Sequence, residues 1–374
     1  MNVIFTCGGT AGHISPAIAV ANLIRERDPE ANILFVGAQE GMECDLVPRA
    51  GYPVETVKIA NFQRKLTPSG IAHNVKAVGY MLSSRRRADK LIRDFQPDVI
   101  VGTGGYASYP VLRQGAAKKI PTAIHESNAV PGLTTRLVMD HMDRVMVSFE
   151  ESRKNYPHPD RVRVVGMPVR SEFLLTKKSD ARRALGLDDR PVVVSYWGSL
   201  GAREMNKKIA RFMALECQNG ALFQHIHATG SYGWRWMPAY VKEQGADLQK
   251  YPSIDMREYI YDMPTVMAAA DLVICRAGAA TIAEVAAAGK PAIFVPSPNV
   301  TDNHQEKNAR IIEERGGAVV LRENECDGDK LYEAASALLG DRERLIGMSK
   351  AVQAMAVPDS AQRIYEIILE LTRG

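Results

Sequence analysis

The sequence predicts an α/β protein built from two parallel-sheet domains of similar construction. Three observations carry this prediction. Short apolar runs alternate with stretches of helical period almost throughout, glycine-rich loops follow several of those runs, and the pattern restarts near the middle of the chain. The two leading glycine loops start at residues 8 and 198, about half of the 374 residues apart. That length suits two domains of roughly 100–200 residues each, large enough to bury their cores without disulfides or metals.

In the first half, residues 3–7 read as a buried strand and run into Gly8-Gly9-Thr10-Ala11-Gly12-His13. Ile14, Ala17, Ile18, Ala21 and Ile24 then recur at helical spacing. Residues 32–37, 98–101, 121–125 and 144–148 are the next strands, and Gly102-Thr103-Gly104-Gly105 follows the second of these. Residues 156–168 hold three prolines and suit an interdomain connection. The second half opens with a strand at 191–197, then Gly198-Ser199-Leu200-Gly201-Ala202 and a helix from near Glu204. Later strands are expected at 222–228, 272–275, 292–295 and 318–321.

A glycine turn between strand and helix lets the backbone approach a ligand, and the helix N-terminus favours an anionic group there. One such loop serves packing as often as binding. Three of them, all at strand carboxyl ends, point to a ligand site. Neither leading loop has the G-x-G-x-x-G spacing of a dinucleotide site, and no G-x-x-x-x-G-K-[ST] is present.

The most informative stretch is 270–309. Residues 272–275 form a strand, Arg276-Ala277-Gly278-Ala279 a turn and 281–288 a helix, with Gly289 as C-cap. Glu284 lies one turn into that helix, between Ala283 and Val285-Ala286-Ala287-Ala288. A helical glutamate is usually solvated. Among small apolar neighbours it is better placed to accept two hydrogen bonds from a ribose diol.

Composition narrows the class. The chain is 46% apolar, 24% charged and 7% aromatic, with net charge +4, so no nucleic-acid partner is implied. Five cysteines without a C-x-x-C pair fit a reducing compartment. No signal peptide is evident, and no uncharged apolar run reaches the roughly 18 residues of a membrane span. Positive charge concentrates in residues 61–93, where eight basic residues face one acid (+7) with Ile71, Val75, Val78, Tyr80, Met81, Leu82, Leu91 and Ile92 interleaved. This is a solvated helix face, a surface for anionic headgroups or, as a third reading, a nucleic-acid patch. The lone D-x-D, Asp327-Gly328-Asp329, reads as a helix N-cap and first turn. His225 and His227 share one strand face without a third ligand, which reads as packing. No metal or cofactor is expected.

Seven blocks then carry a resemblance: GGTAGHISPAIAVA at 8–21, GTGGYASYP at 102–110, HESNAVPGLTTR at 125–136, GMPVR at 166–170, GSLGAREMN at 198–206, CRAGAATIAEVAAAGKPAIFVP at 275–296 and TDNHQEKNA at 301–309. In these blocks the chain resembles the bacterial MurG family, the UDP-N-acetylglucosamine:lipid I N-acetylglucosaminyltransferases. The resemblance implies a GT-B fold of two Rossmann-like domains facing a central cleft. Residues 1–165 would be the acceptor and membrane-facing domain and 166–357 the UDP-GlcNAc-binding domain, with a C-terminal helix at about 358–374 packing back on the first. It implies inverting transfer of GlcNAc to the MurNAc 4-hydroxyl of lipid I, giving lipid II for peptidoglycan and hence cell-wall growth, shape and division. It also implies a peripheral position on the cytoplasmic face of the membrane, reached through 61–93.

By similarity, Glu284 holds the ribose, and Ile260 lies against the uracil through its backbone. Ser199 and Arg170 face the diphosphate, Ala279, Ala280, Thr281, Ile282 and Ala283 line the donor site, and Gln305 contacts the sugar. Thr10, Ala11, Gly12 and Asn128 reach the donor from the first domain. His13 is the candidate base, or else an acceptor-binding or helix-capping residue. Gly104, Gly105, Tyr106, His125 and Glu126 are acceptor-side candidates, the last two also as alternative bases. Ala11, Ser127, Met167 and Ala280 stand where the family pattern has Gly, Gln, Asn and Leu. Alanine at 11 would be strained if φ were positive there. Rival readings are a related lipid glycosyltransferase with another donor or acceptor, a UDP-GlcNAc epimerase of the same fold, and an inactive sugar-nucleotide-binding homologue. An epimerase would leave the basic apolar segment unexplained.

Overall fold

The structure is a computed structural model that describes residues 1–59 and 68–373, apart from the side chains of Ala11, 68–79, Met81 and Leu82. Contacts divide the chain into two units, Met1–Pro168 with Asp359–Gly374, and Val169–Pro358.

The first unit is built on seven strands: β1 (Asn2–Thr6), β2 (Asn32–Ala38), β3 (Val54–Val57), β4 (Val99–Gly102), β5 (Thr122–Glu126), β6 (Arg144–Val147) and β7 (Val162–Val164). They form one sheet in the order β3-β2-β1-β4-β5-β6-β7, every pair parallel. Helices cover both faces, so the inner strands are continuous apolar runs rather than alternating ones. Phe5 and Phe35 stack across β1 and β2 with ring centroids 5.4 Å apart. Helix Ala11–Arg27 buries Ile14, Ala17, Ala21 and Ile24 of the set its spacing predicts, with Ile18 only partly buried beside them. Helix Ser360–Arg373 packs on it through Ile364, Ile367 and Ile368, and its Glu370 pairs with Arg144 on β6.

The second unit repeats the plan with β8 (Val192–Tyr196), β9 (Gln224–Ala228), β10 (Ile254–Arg257), β11 (Leu272–Cys275), β12 (Ala292–Phe294) and β13 (Ala318–Val320). Its parallel order is β10-β9-β8-β11-β12-β13. In each sheet the winding reverses once, between β1 and β4 and between β8 and β11. Loops that diverge there open a crevice at the strand carboxyl ends. All the glycine loops fall at these two switch points.

Three strands, β3, β7 and β10, have no counterpart in the sequence reading. Each is a sheet edge with most of its residues half-buried, and VETV, VRV and IDMR contain no apolar run. The three-proline connection is corrected on the same ground, since β7 lies inside it.

Candidate functional site

At the first switch point, Thr10 is the N-cap of helix Ala11–Arg27, with extended backbone and no side-chain cap bond. Ala11 opens the helix and is not among the positive-φ residues, so alanine carries no left-handed backbone strain there. Its side chain lies outside the described residues. His13 sits in the first turn, partly exposed, with Nδ1 3.0 Å from the Gly8 carbonyl. Nδ1–H donation to that oxygen leaves Nε2 as the lone-pair nitrogen. Gly104 has φ +107, and a Cβ on it would stand 3.0 Å from His13 Nε2. Gly105 has φ +83, and a Cβ there would stand 2.2 Å from the Gly8 oxygen. The two glycine loops thus meet backbone to backbone, and the absence of side chains keeps the His13 edge open. Tyr106 is exposed beside them.

The HESN block is corrected. His125 is buried, and its Nε2 lies 2.8 Å from the Gly166 oxygen. Burial pushes its imidazole below the usual histidine range, with the Gly166 bond opposing. Glu126 is 5% exposed. It accepts from Asn128 N and Nδ2 at 3.0 Å each, Gly132 N at 2.8 Å and Thr135 Oγ1 at 2.7 Å. Both oxygens are therefore spent on shaping the loop that carries Asn128, and neither residue is placed to touch an acceptor.

Glu43 was missed by the sequence reading. It is fully buried and accepts from Ala38 N at 2.5 Å and Gly9 N at 3.4 Å. A Cβ on Gly8, Gly37 or Gly41 would stand within 2.8 Å of its side chain. The signal was the glycines at 37 and 41 that make room for it.

At the second switch point, Gly198 and Gly201 both have positive φ, and Ser199 is exposed between them. A Cβ on Gly201 would stand 2.1 Å from the Thr229 oxygen, so this loop also meets its neighbour backbone to backbone. Asn206 Nδ2 donates to that same Thr229 oxygen at 2.7 Å, a brace the sequence reading did not single out.

Helix Ala279–Ala287 starts at the carboxyl end of β11, with Gly278 as N-cap and no side-chain cap bond. Ala279, Ala280, Thr281 and Ala283 are partly exposed, while Ile282 faces inward. Glu284 is partly exposed, with no hydrogen-bond partner for its carboxylate among the described residues. Desolvation pushes its pKa up to about 7, and the nearby Arg170 guanidinium opposes the rise. Arg170 itself is exposed, resting 5.3 Å over the Phe173 ring. The Ile260 side chain is buried between the exposed Tyr259 and Tyr261, so a ligand there would meet its backbone. Gln305 Oε1 accepts from Ser297 N at 2.9 Å, and its amide nitrogen has no acceptor among the described residues.

His225 and His227 are core residues. Ser195 Oγ lies 2.7 Å from His225 Nε2 and 2.6 Å from His227 Nδ1, and His225 Nδ1 lies 2.9 Å from Glu216. The set resembles a nucleophile relay, yet all four side chains are buried beyond reach of substrate. Burial raises Glu216 and pushes His227 well below the histidine range. Asp327 caps helix Gly328–Gly340 through Lys330 N, and Asp329 pairs with Arg211 at 2.7 Å. No group of three or more His, Cys, Asp and Glu among the described residues could hold a metal ion.

Much of the basic segment 61–93 lies outside the described residues, namely Arg64 and Lys65 entirely and the side chains of Ile71, Val75, Lys76, Val78, Met81 and Leu82. Leu91 and Ile92 belong to the core, which removes them from any membrane surface. Tyr80, Arg85, Arg86 and Lys90 are exposed, while Arg87 pairs with Glu55 at 2.6 Å. Among the described residues no helix is long and apolar enough to cross a membrane.

Two doubly wound sheets with glycine loops at their switch points, and a desolvated carboxylate at the second, make the GT-B architecture of nucleotide-sugar enzymes. The family description "Glycosyltransferase family 28 N-terminal domain" matches residues 3–147, and "Glycosyltransferase family 28 C-terminal domain" matches 192–364. The chain is 40% identical to an Acetivibrio thermocellus transferase over 100% of this chain and 99% of that protein. It is also 40% identical to a Caldanaerobacter subterraneus relative over the full length of both. Both bear the name UDP-N-acetylglucosamine–N-acetylmuramyl-(pentapeptide) pyrophosphoryl-undecaprenol N-acetylglucosamine transferase, and this chain belongs to that family. The crystal structure of Acinetobacter baumannii MurG superposes with TM-score 0.78 at 25% identity, covering 99% of each chain. A UDP-GlcNAc 2-epimerase from Neisseria meningitidis reaches 0.65 at 14% identity over 99% of this chain and 100% of its own, so the fold alone does not choose between these activities.

Proposed function

We propose that this enzyme transfers N-acetylglucosamine from UDP-N-acetylglucosamine to the MurNAc 4-hydroxyl of undecaprenyl-pyrophosphoryl-MurNAc-pentapeptide, inverting the anomeric centre. Family membership supports the reaction. For the site, the observation that carries the reading is Glu284, a desolvated carboxylate without a hydrogen-bond partner among the described residues, at the switch point of the second unit. It accepts the two ribose hydroxyls. The backbone of Ile260 takes the uracil, and Gln305 offers its amide N–H groups to the sugar. Loop 198–201, the open start of helix Ala279–Ala287 and Arg170 stabilise the charge that grows on departing UDP. Within the first unit, Thr10, Gly12 and Asn128 are the candidate substrate-binding residues, with Gly104, Gly105 and Tyr106 on the acceptor side.

His13 acts as general base. Its Nδ1–H bond to Gly8 holds the tautomer that presents Nε2 to the acceptor hydroxyl. The proton passes to Nε2 as the oxygen attacks the anomeric carbon and the bond to UDP breaks. The exposed cations Arg85, Arg86 and Lys90, with Tyr80, hold the enzyme on the cytoplasmic face of the membrane, at about 1 kcal/mol per basic residue near anionic lipid.

Radiolabelled UDP-GlcNAc with a lipid I analogue tests the reading. Label moves to lipid in the parent, and His13→Ala slows transfer about 10²–10⁴-fold while UDP still binds. Transfer that survives in His13→Ala removes His13 as base. UDP-GlcNAc binding without transfer to lipid I removes the acceptor assignment.

A further inference from the structure

The second unit carries a cavity of about 710 Å³ at the end of its sheet opposite the glycine loops. Pro191, Asp271 and Pro291 in its wall precede β8, β11 and β12, whereas the donor loops follow these strands. The five residues of β8 alone set the two ends about 16 Å apart. The size is that of a small-ligand site.

Its charge is one-sided. Five cationic side chains and two carboxylates line it. Lys178 and Arg182 are matched by Asp271, with which both pair. Lys290, Arg342 and Lys350 are not matched by any carboxylate among the described residues. Lys290 is only 9% exposed, and its ammonium donates to the Ala268 oxygen at 2.7 Å and the Ala270 oxygen at 2.9 Å. Those two bonds leave its third N–H unspent. Burial pushes its pKa down to about 8, with repulsion from Lys178 and Arg182 adding to the drop and Asp271 opposing it, a cost that a bound anion would relieve. Arg342 and Lys350 sit two turns apart on helix Arg342–Gln353, and Ile346 lies between them, 46% exposed. Cations at both ends of an apolar step, over a buried ammonium, form a wall for an amphipathic anion.

We propose that this cavity is a second ligand site, distinct from the donor site, for a phosphate-bearing anion with an apolar portion. Lys290, Arg342 and Lys350 grip the phosphate, and Ile346 with Leu345 and Leu339 covers the apolar part.

Calorimetric titration of the full chain with inorganic pyrophosphate, under saturating UDP, tests the site. Pyrophosphate binds in the presence of UDP, and Arg342→Glu and Lys350→Glu each weaken it about tenfold while GlcNAc transfer is unchanged. Both side chains are exposed, and an unchanged Tm confirms that the variants fold. Sedimentation with phosphatidylglycerol–phosphatidylcholine vesicles separates the two sources. Retention that both reversals abolish supports a lipid headgroup as the ligand. Pyrophosphate binding without retention supports a soluble phosphorylated one. Pyrophosphate binding that UDP abolishes, that the reversals leave intact, or that is absent altogether overturns the proposal.

Discussion

Glu126 in the first unit and Glu284 in the second both stand toward the carboxyl end of a parallel sheet, Glu126 within the polar block HESN and Glu284 among small apolar residues. The fold treats them in opposite ways. Glu126 accepts four hydrogen bonds from its own loop and is all but buried. Glu284 accepts none from the described residues, stays partly open, and is pushed up to about 7 by desolvation. A saturated carboxylate is a structural part. A carboxylate left desolvated and without a partner is destabilising unless a ligand completes it, and such groups mark sites.

Isosteric substitution breaks the comparison most sharply. Glu126→Gln turns an amide N–H₂ toward the Gly132 N–H and the Thr135 hydroxyl, so it costs about 2–4 kcal/mol, read as a fall in Tm. The same change at Glu284 leaves the fold intact and weakens UDP-GlcNAc about 30–100-fold, because two charge-assisted bonds to the ribose are lost. Equal Tm losses in the two variants would erase the distinction.

Titration sharpens it. The folded value of Glu284, about 7, lies above the unfolded value of about 4.3, so its ionisation subtracts stability as pH rises from one to the other. Glu284→Gln removes that loss, and its Tm advantage over the parent grows between pH 5 and pH 8. Ribose hydroxyls favour the ionised form, so parent affinity for UDP rises up to about pH 7 and then levels, with proton release on binding. A flat affinity profile would sink the ribose role. Arg170→Ala gives the smallest effect. It removes a charge that opposes the rise at Glu284, so the midpoint of that profile moves up by a few tenths of a pH unit, with UDP weakened a few-fold.

How far the sequence could be read follows from what each element asks of its residues. Inner strands are wrapped on both faces, so they need apolar runs, and all nine of them, with the apolar edge strand β13, could be marked out within about two residues. Edge strands need only one neighbour, so β3, β7 and β10 left no such run. Glycine loops were legible because positive φ and close backbone approach exclude side chains, as Gly105 against Gly8 and Gly201 against Thr229 illustrate. Glu284 stood out because a glutamate among alanines and valine has nothing local to do.

The composition of HESN is that of a catalytic block, and no local rule separates a histidine that meets substrate from one that braces Gly166. Glu43 was hidden for the converse reason, since its partners Ala38 N and Gly9 N are ordinary backbone groups. By itself, the sequence determined the two parallel-sheet domains, the positions of the glycine loops and the family, because these rest on periodicity, glycine and local order along the chain. Only the tertiary structure decided which polar side chains are free to meet a ligand and which are spent within the fold. That choice depends on hydrogen-bond partners brought from distant segments, and partners of that kind leave no trace in local order.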